Sequence, residues 1–95
     1  MSTQHDPKGL GKVVVANAGT PVPIKASAFM VKGFTAQADP GNVGTYMFLK
    51  DAAGNIMMKF SKGQSATLPF VGVFDLSQVQ LDTDTNNDGA FIAYV

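Results

Sequence analysis

The stretch that decides the fold is 45-TYMFLKDAAGNIMMKF-60. Two apolar-rich runs, Thr45–Lys50 and Ile56–Phe60, flank Asp51, Ala52, Ala53, Gly54 and Asn55. Asp and Asn bond their own backbone and Gly tolerates positive φ, so the middle segment suits a four- to five-residue hairpin loop. The flanks are short for helices, and Gly54 with Asn55 interrupts any helical stripe. An antiparallel hairpin at the centre of an all-β domain is expected. Alternation along its strands sends Met57 and Met58 to opposite faces. One face then faces a core. The other exposes Met47 or Phe48 with one of the paired methionines, either beneath a second layer or against another copy or a host surface.

A chain of 95 residues makes one domain. Its seven Phe, five Met and two Tyr supply much of the core volume. Cysteine is absent, which excludes disulfides, thiolate metal sites and thiol chemistry. The seven positive side chains are all Lys and the seven negative ones all Asp, for a formal net charge of zero. No basic stripe neutralises phosphates and no Arg fork reads a base edge, so nucleic acid is not an expected partner. Lacking Glu and Arg, the chain is also poor in helix formers. The segment 1-MSTQHDPKGLGK-12 has no apolar signal-peptide core, and no apolar run is long enough to span a bilayer. A chain made in the cytoplasm, with no membrane partner, is the expectation.

Around the hairpin the chain reads as short strands and turns. Residues 1–11, with Pro7, Gly9 and Gly11, form an expected flexible arm, and 12–95 the β domain. Lys12–Ala16 (KVVVA) is a strand candidate. Thr20–Ile24 (TPVPI) places Pro21 and Pro23 where only an edge strand or a connector tolerates them. Ala26–Gln37 is the longest strand candidate, with Phe29 and Val31 facing one way, Met30 the other and Gly33 at a bulge; helix over Ala26–Lys32 stays open. Asp39-Pro40-Gly41-Asn42 is a turn, with Gly41 expected at positive φ. Ser61-Lys62-Gly63 is another. Further strands are expected at Ser65–Phe70, Val71–Phe74, Gln78–Thr83 (Val79 and Leu81 on one face) and Ala90–Val95. Six to eight short strands at this spacing predict an antiparallel β-sandwich, jelly-roll-like.

Chemistry-bearing residues are few. Asp84, Asn86, Asp88 and Gly89 match the D-x-N-x-D-G start of a calcium loop, because a hard cation wants oxygens at that spacing. The bidentate Glu six residues after the Gly is missing; Val95 stands there. The competing reading is a hairpin loop, in which Asn, Asp and Gly are the usual residues. The only histidine, His5, lies in the arm, so serines 2, 27, 61, 65 and 77 have no held base to activate them. Asp75 before Leu76-Ser77 suits a turn or cap. No phosphate loop or dinucleotide fingerprint occurs. No catalytic residue, cofactor or metal ligand is assigned, and the expectation is a protein that is not an enzyme.

The order of several segments is similar to a known family. Ala18-Gly19-Thr20-Pro21-Val22-Pro23-Ile24, then Phe34-Thr35-Ala36-Gln37-Ala38, Asn42-Val43-Gly44-Thr45-Tyr46, Lys62-Gly63-Gln64-Ser65-Ala66-Thr67-Leu68-Pro69 and Asp75-Leu76-Ser77-Gln78-Val79 lead to the Asp-rich terminal segment. Over residues 16–95 this resembles the small β-sandwich structural proteins of tailed-bacteriophage virions: capsid decoration (cement), head-fibre and neck accessory proteins. Phe48 departs from the pattern, which often has Gly there. The resemblance implies a non-enzymatic virion protein that binds the major capsid protein or another virion protein and stabilises the shell. It also implies a homo-oligomer, a trimer foremost, with the arm reaching a neighbour. A small carbohydrate- or receptor-binding β-module, calcium-assisted through Asp84, Asn86 and Asp88, is the alternative.

Overall fold

The computed structural model describes residues 8–68 and 73–95. Its strands are β1 (Lys8–Val15), β2 (Val22–Pro23), β3 (Met30–Val31), β4 (Phe34–Ala38), β5 (Tyr46–Lys50), β6 (Ile56–Ser61), β7 (Ser65–Leu68), β8 (Phe74–Asp75), β9 (Gln80–Thr83) and β10 (Asp88–Tyr94). One turn of 3-10 helix, η1 (Leu76–Gln78), separates β8 from β9. Among the described residues no helix is long and apolar enough to cross a membrane.

The pairing follows one rule. β1 pairs with β10, β2 with β9, β3 with β8, β4 with β7 and β5 with β6, all antiparallel. The chain is therefore one long hairpin doubled back at Asp51–Asn55. This hairpin is rolled so that β10 also pairs with β4 and β9 with β5. The roll yields two four-stranded sheets, β1-β10-β4-β7 and β2-β9-β5-β6, with β3–β8 as a small separate pair. Two sheets wound in this way form a jelly-roll β-sandwich, as the strand spacing predicts.

The tip that directs the doubling is built as its sequence requires. Asp51 Oδ1 accepts from the amides of Ala53 (3.0 Å) and Asn55 (2.8 Å), and Asp51 N donates to Asn55 O at 2.9 Å. Gly54 takes φ 91° to turn the chain. A bulge then skips Met57: Leu49 faces Met58 and Lys50 faces Ile56. Met58 packs against the core while Met57 stays exposed. Of the two side chains competing for the core face, Met47 is buried and Phe48 points outward, half-covered.

The core joins unequal faces. The β1-β10-β4-β7 sheet contributes Ala36, Ala38, Ala66 and Ala90 beside Val15, Phe34 and Ile92. The opposite sheet supplies Met47, Leu49, Phe60 and Leu81. Large side chains of one layer fill the room that alanines leave in the other, which is how facing layers reach native density.

Several sequence expectations are corrected. β1 starts at Lys8, so residues 8–11, expected in the arm, pair with β10 across a bulge at Gly11. The long strand over Ala26–Gln37 is broken into β3 and β4, and no helix forms there. Asp75 holds the end of the segment that follows the 24–27 bend by accepting from Phe29 N at 2.9 Å. Phe29, Val31 and Met30 keep the expected facing, half-buried, buried and exposed. The Asp39–Asn42 turn closes by Asn42 N donating to Asp39 O, but Gly41 has no positive φ; Asp39 Oδ1 accepts its amide and holds the turn instead. Gln78 belongs to η1, and the strand begins at Gln80. β9 and β10 lie in different sheets, so 84–87 is an arch between layers and not a hairpin loop. The expectations at Pro69–Gly72, and for residues 1–7, lie outside the described residues.

Packing tightness at the alanine face gives a direct check. Ala36→Val inserts two methyl groups where Ala36 is fully buried. It is expected to destabilise by about 1–3 kcal/mol in urea denaturation, whereas Ala93→Val, on the outer face of the same sheet, stays within about 0.5 kcal/mol.

Candidate functional site

The arch after β9 carries the calcium-like sequence, and its oxygens are directed elsewhere. Asp88 is buried, and its carboxylate accepts from Val43 N at 2.9 Å and from Gly44 N at 2.7 Å. Asn86 Oδ1 accepts from Ala18 N at 2.6 Å. Asp84, exposed, accepts from the Thr85 hydroxyl at 3.3 Å. Beside them Asn42 is buried and mimics a strand residue: its Oδ1 accepts from Gly89 N and its Nδ2 donates to Gly89 O, both at 3.0 Å. Gly44 makes this close approach possible, and Gly89 lets β1 pack against the start of β10. A Cβ on Gly44 would lie 2.8 Å from Asp84 Oδ1 and 2.9 Å from Asp88 Oδ2, and one on Gly89 would lie 2.6 Å from Val13 O. The motif spacing thus serves a latch between the 39–44 corner and the start of β10.

Three further carboxylates singled out by sequence are likewise committed. Asp75 caps η1, accepting from Ser77 N at 2.9 Å and from the Ser77 hydroxyl at 2.8 Å. Its carboxyl is held below the ordinary carboxylate value by the Phe29 amide first, then by Ser77. The Lys12 ammonium, 2.5 Å from Asp39, and the Gly41 amide hold Asp39 low. The Asn55 backbone and side chain do the same for Asp51. Among the described residues every buried side-chain nitrogen or oxygen has a hydrogen-bond partner. His5 lies outside the described residues.

What remains open is the outside of the two sheets, and the two differ in chemistry. On β2-β9-β5-β6 the outward residues of β5 are Tyr46, Phe48 and Lys50. Tyr46 is 40% exposed, and the Lys59 ammonium lies 4.0 Å from its ring centre. Lys50 pairs with the buried Asp82 carboxylate at 2.6 Å and lies 6.0 Å from the Phe48 ring centre. Ile56 and Met57 extend this aromatic and aliphatic surface along the edge strand, 59% and 36% exposed. On β1-β10-β4-β7 the outward residues include two cross-strand rows, Lys12–Phe91–Gln37–Ser65 and Gly9–Ala93–Thr35–Thr67, with Val14 exposed beyond Lys12. A shallow cavity of about 260 Å³ lies on this face, lined by Thr35, Gln37, Ser65, Phe91, Ile92 and Ala93. Phe91 was not a sequence candidate. In 90-AFIAYV-95 almost every residue is apolar, so alternation alone does not say which side is outer.

Comparison with known proteins returned no matching family model, no matching curated protein and no matching solved structure.

The latch and the calcium loop make opposite predictions. Asp88→Ala strips the acceptor from two amides and is expected to cost about 1–3 kcal/mol, while Asp84→Ala on the exposed arch stays within about 0.5 kcal/mol; urea denaturation separates them. Excess calcium, against a chelator, is expected to leave the melting temperature of the parent chain unchanged. A calcium-dependent rise abolished by both variants would restore the metal loop. The three depressed carboxyls also fix an acid limit. Their folded values lie below the ordinary 3.8, so their stabilisation is full above that value and is lost as pH falls through the folded values. Melting temperature should be level down to about pH 5 and fall below about pH 4, with Asp75→Asn removing part of the fall.

Proposed function

We propose that the chain is a non-enzymatic structural protein of a bacteriophage virion, a capsid decoration protein that seats on the major capsid shell and stabilises it. The observation that carries the reading is the outer face of β2-β9-β5-β6. Tyr46, Phe48, Ile56 and Met57 lie there with the aliphatic stems of Lys50 and Lys59. Exposed aromatic and aliphatic side chains interleaved with lysine stems are a composition suited to a protein contact. Two further points support the reading. The turn and strand order resembles virion accessory proteins, and the jelly roll recurs among viral capsid and lectin domains, which is support by fold analogy. Carboxylates committed to turns, caps and the latch suit a protein that works by shape and surface. On this reading the chain is a homo-oligomer, a trimer, since decoration of a symmetric lattice favours closed symmetry. Residues ahead of β1 act as the arm to a neighbour. Because β1 begins at Lys8, the arm is tested by deleting residues 1–7, as deletion through Gly11 would also remove β1–β10 pairs.

Virions from cells expressing the chain provide the test. The chain is expected to co-purify with intact particles at fixed stoichiometry, and particles made without it to release their genome at a lower temperature. Tyr46→Asp with Met57→Asp should abolish particle binding while leaving the melting temperature of the free chain within a few degrees. Particles that never carry the chain, or that bind the double variant as well as the parent, would overturn the assignment.

A further inference from the structure

We propose that the outer face of β1-β10-β4-β7 is a binding site for one ring of a neutral carbohydrate, centred on Phe91, Thr35 and Gln37. This inference does not rest on the virion assignment, which concerns the opposite sheet. It begins with register. Phe91 stands directly across from Gln37, and Ala93 directly across from Thr35, which in turn faces Thr67. The second row is small: Gly9, Ala93, Thr35 and Thr67. The neighbouring row carries the Phe91 ring and the Gln37 amide. A low floor beside a taller aromatic wall produces the 260 Å³ hollow. That is below the roughly 300–1,000 Å³ of pockets for drug-sized ligands, and it suits a single small ring.

The chemistry of the lining selects the ligand class. Thr35 Oγ1 and Thr67 Oγ1 share one hydrogen bond at 3.0 Å, so the pair still offers one O–H donor and free lone pairs. Gln37 Nε2 donates to Gly63 O at 3.3 Å, leaving its second N–H and its carbonyl oxygen. Ser65 adds a further exposed hydroxyl. Donors and acceptors alternate within one short patch, which is what a ring of hydroxyls needs, since each hydroxyl both gives and takes a hydrogen bond. None of the lining residues is charged. The nearest cation in these rows, Lys12, is held by Asp39. An anion would find no free ammonium from those rows, and a cation no lining carboxylate. Phe91, 44% exposed, supplies an aromatic ring, and the electron-rich face of such a ring takes the C–H face of a pyranose. An apolar ligand would leave the Thr and Gln groups of the floor unpaired.

The test uses the full chain, 15N-labelled, titrated with the methyl glycosides of glucose, galactose, mannose and N-acetylglucosamine, and with N-acetylneuraminic acid as the charged comparison. At least one neutral glycoside is expected to shift the amide signals of Thr35, Gln37, Ser65, Phe91 and Ala93 with millimolar affinity, and signals of β5 and β6 not at all. Phe91→Ala should weaken that binding at least tenfold. Thr35→Val, which keeps the side-chain shape, should weaken it several-fold and serves if the Phe91 variant does not fold. No shift with any neutral glycoside, shifts only with the acidic sugar, shifts mapping elsewhere, or affinity that survives both substitutions would each overturn the proposal.

Discussion

The fold depends on a roll being closed, and one cluster of hydrogen bonds closes it. Pairing β1 with β10, β4 with β7 and β5 with β6 gives only a long ribbon. The ribbon becomes a sandwich when β10 meets β4 and β9 meets β5. At the open end of the β10–β4 seam, the Asn42 side chain takes the place of the next strand residue, bonding both the N–H and the C=O of Gly89. Asp88 reaches back to Val43 and Gly44 in the opposite direction. Four bonds thus tie the 39–44 corner to the start of β10. Three of those bonds engage amide N–H groups and the fourth a carbonyl that Asp39 N also serves. The Asn42–Gly89 bonds are buried and those of Asp88 half-buried, and losing the partner of a buried or half-buried amide carries a cost that makes alternative registers unfavourable.

Closing the roll in this way leaves two outer faces of different composition. The long hairpin alternates inward and outward along each strand, so each sheet shows a complete second set of side chains to the outside. On one sheet these are Tyr46, Phe48 and lysine stems; on the other, threonines, Gln37, Ser65 and a single Phe91. On the readings proposed above, the first serves a protein contact and the second a polyol contact. On those readings a small sandwich holds one partner on one sheet and presents the other sheet outward.

Much of this was legible in the sequence where local chemistry is decisive. Asp51, Gly54 and Asn55 announce the tip of the ribbon, and Pro21 and Pro23 confine β2 to an edge. Val79 and Leu81 alternate inward as their spacing requires. The failures share a cause. Asp84, Asn86 and Asp88 have the spacing of a cation loop, but spacing does not reveal that amides at 43 and 44 arrive to occupy Asp88. That arrival is set by pairing between segments more than forty residues apart. Likewise Ala26–Gln37 is uniform enough to read as one strand, and only the contact of Phe29 N with Asp75 shows where it breaks. The outer rows around Phe91 were hidden because β10 is apolar on both sides, and its facing is fixed by the layer it joins.

The most direct measurement is amide hydrogen exchange resolved by NMR at Val43, Gly44 and Gly89. Val43 and Gly44 lie in a bend whose sequence alone suggests rapid exchange. With the roll latched as described, they exchange as slowly as the paired amides of β4 and β10. Exchange at those positions as fast as in the exposed 51–55 loop would mean that the corner is not tied to β10, and would contradict the closed roll.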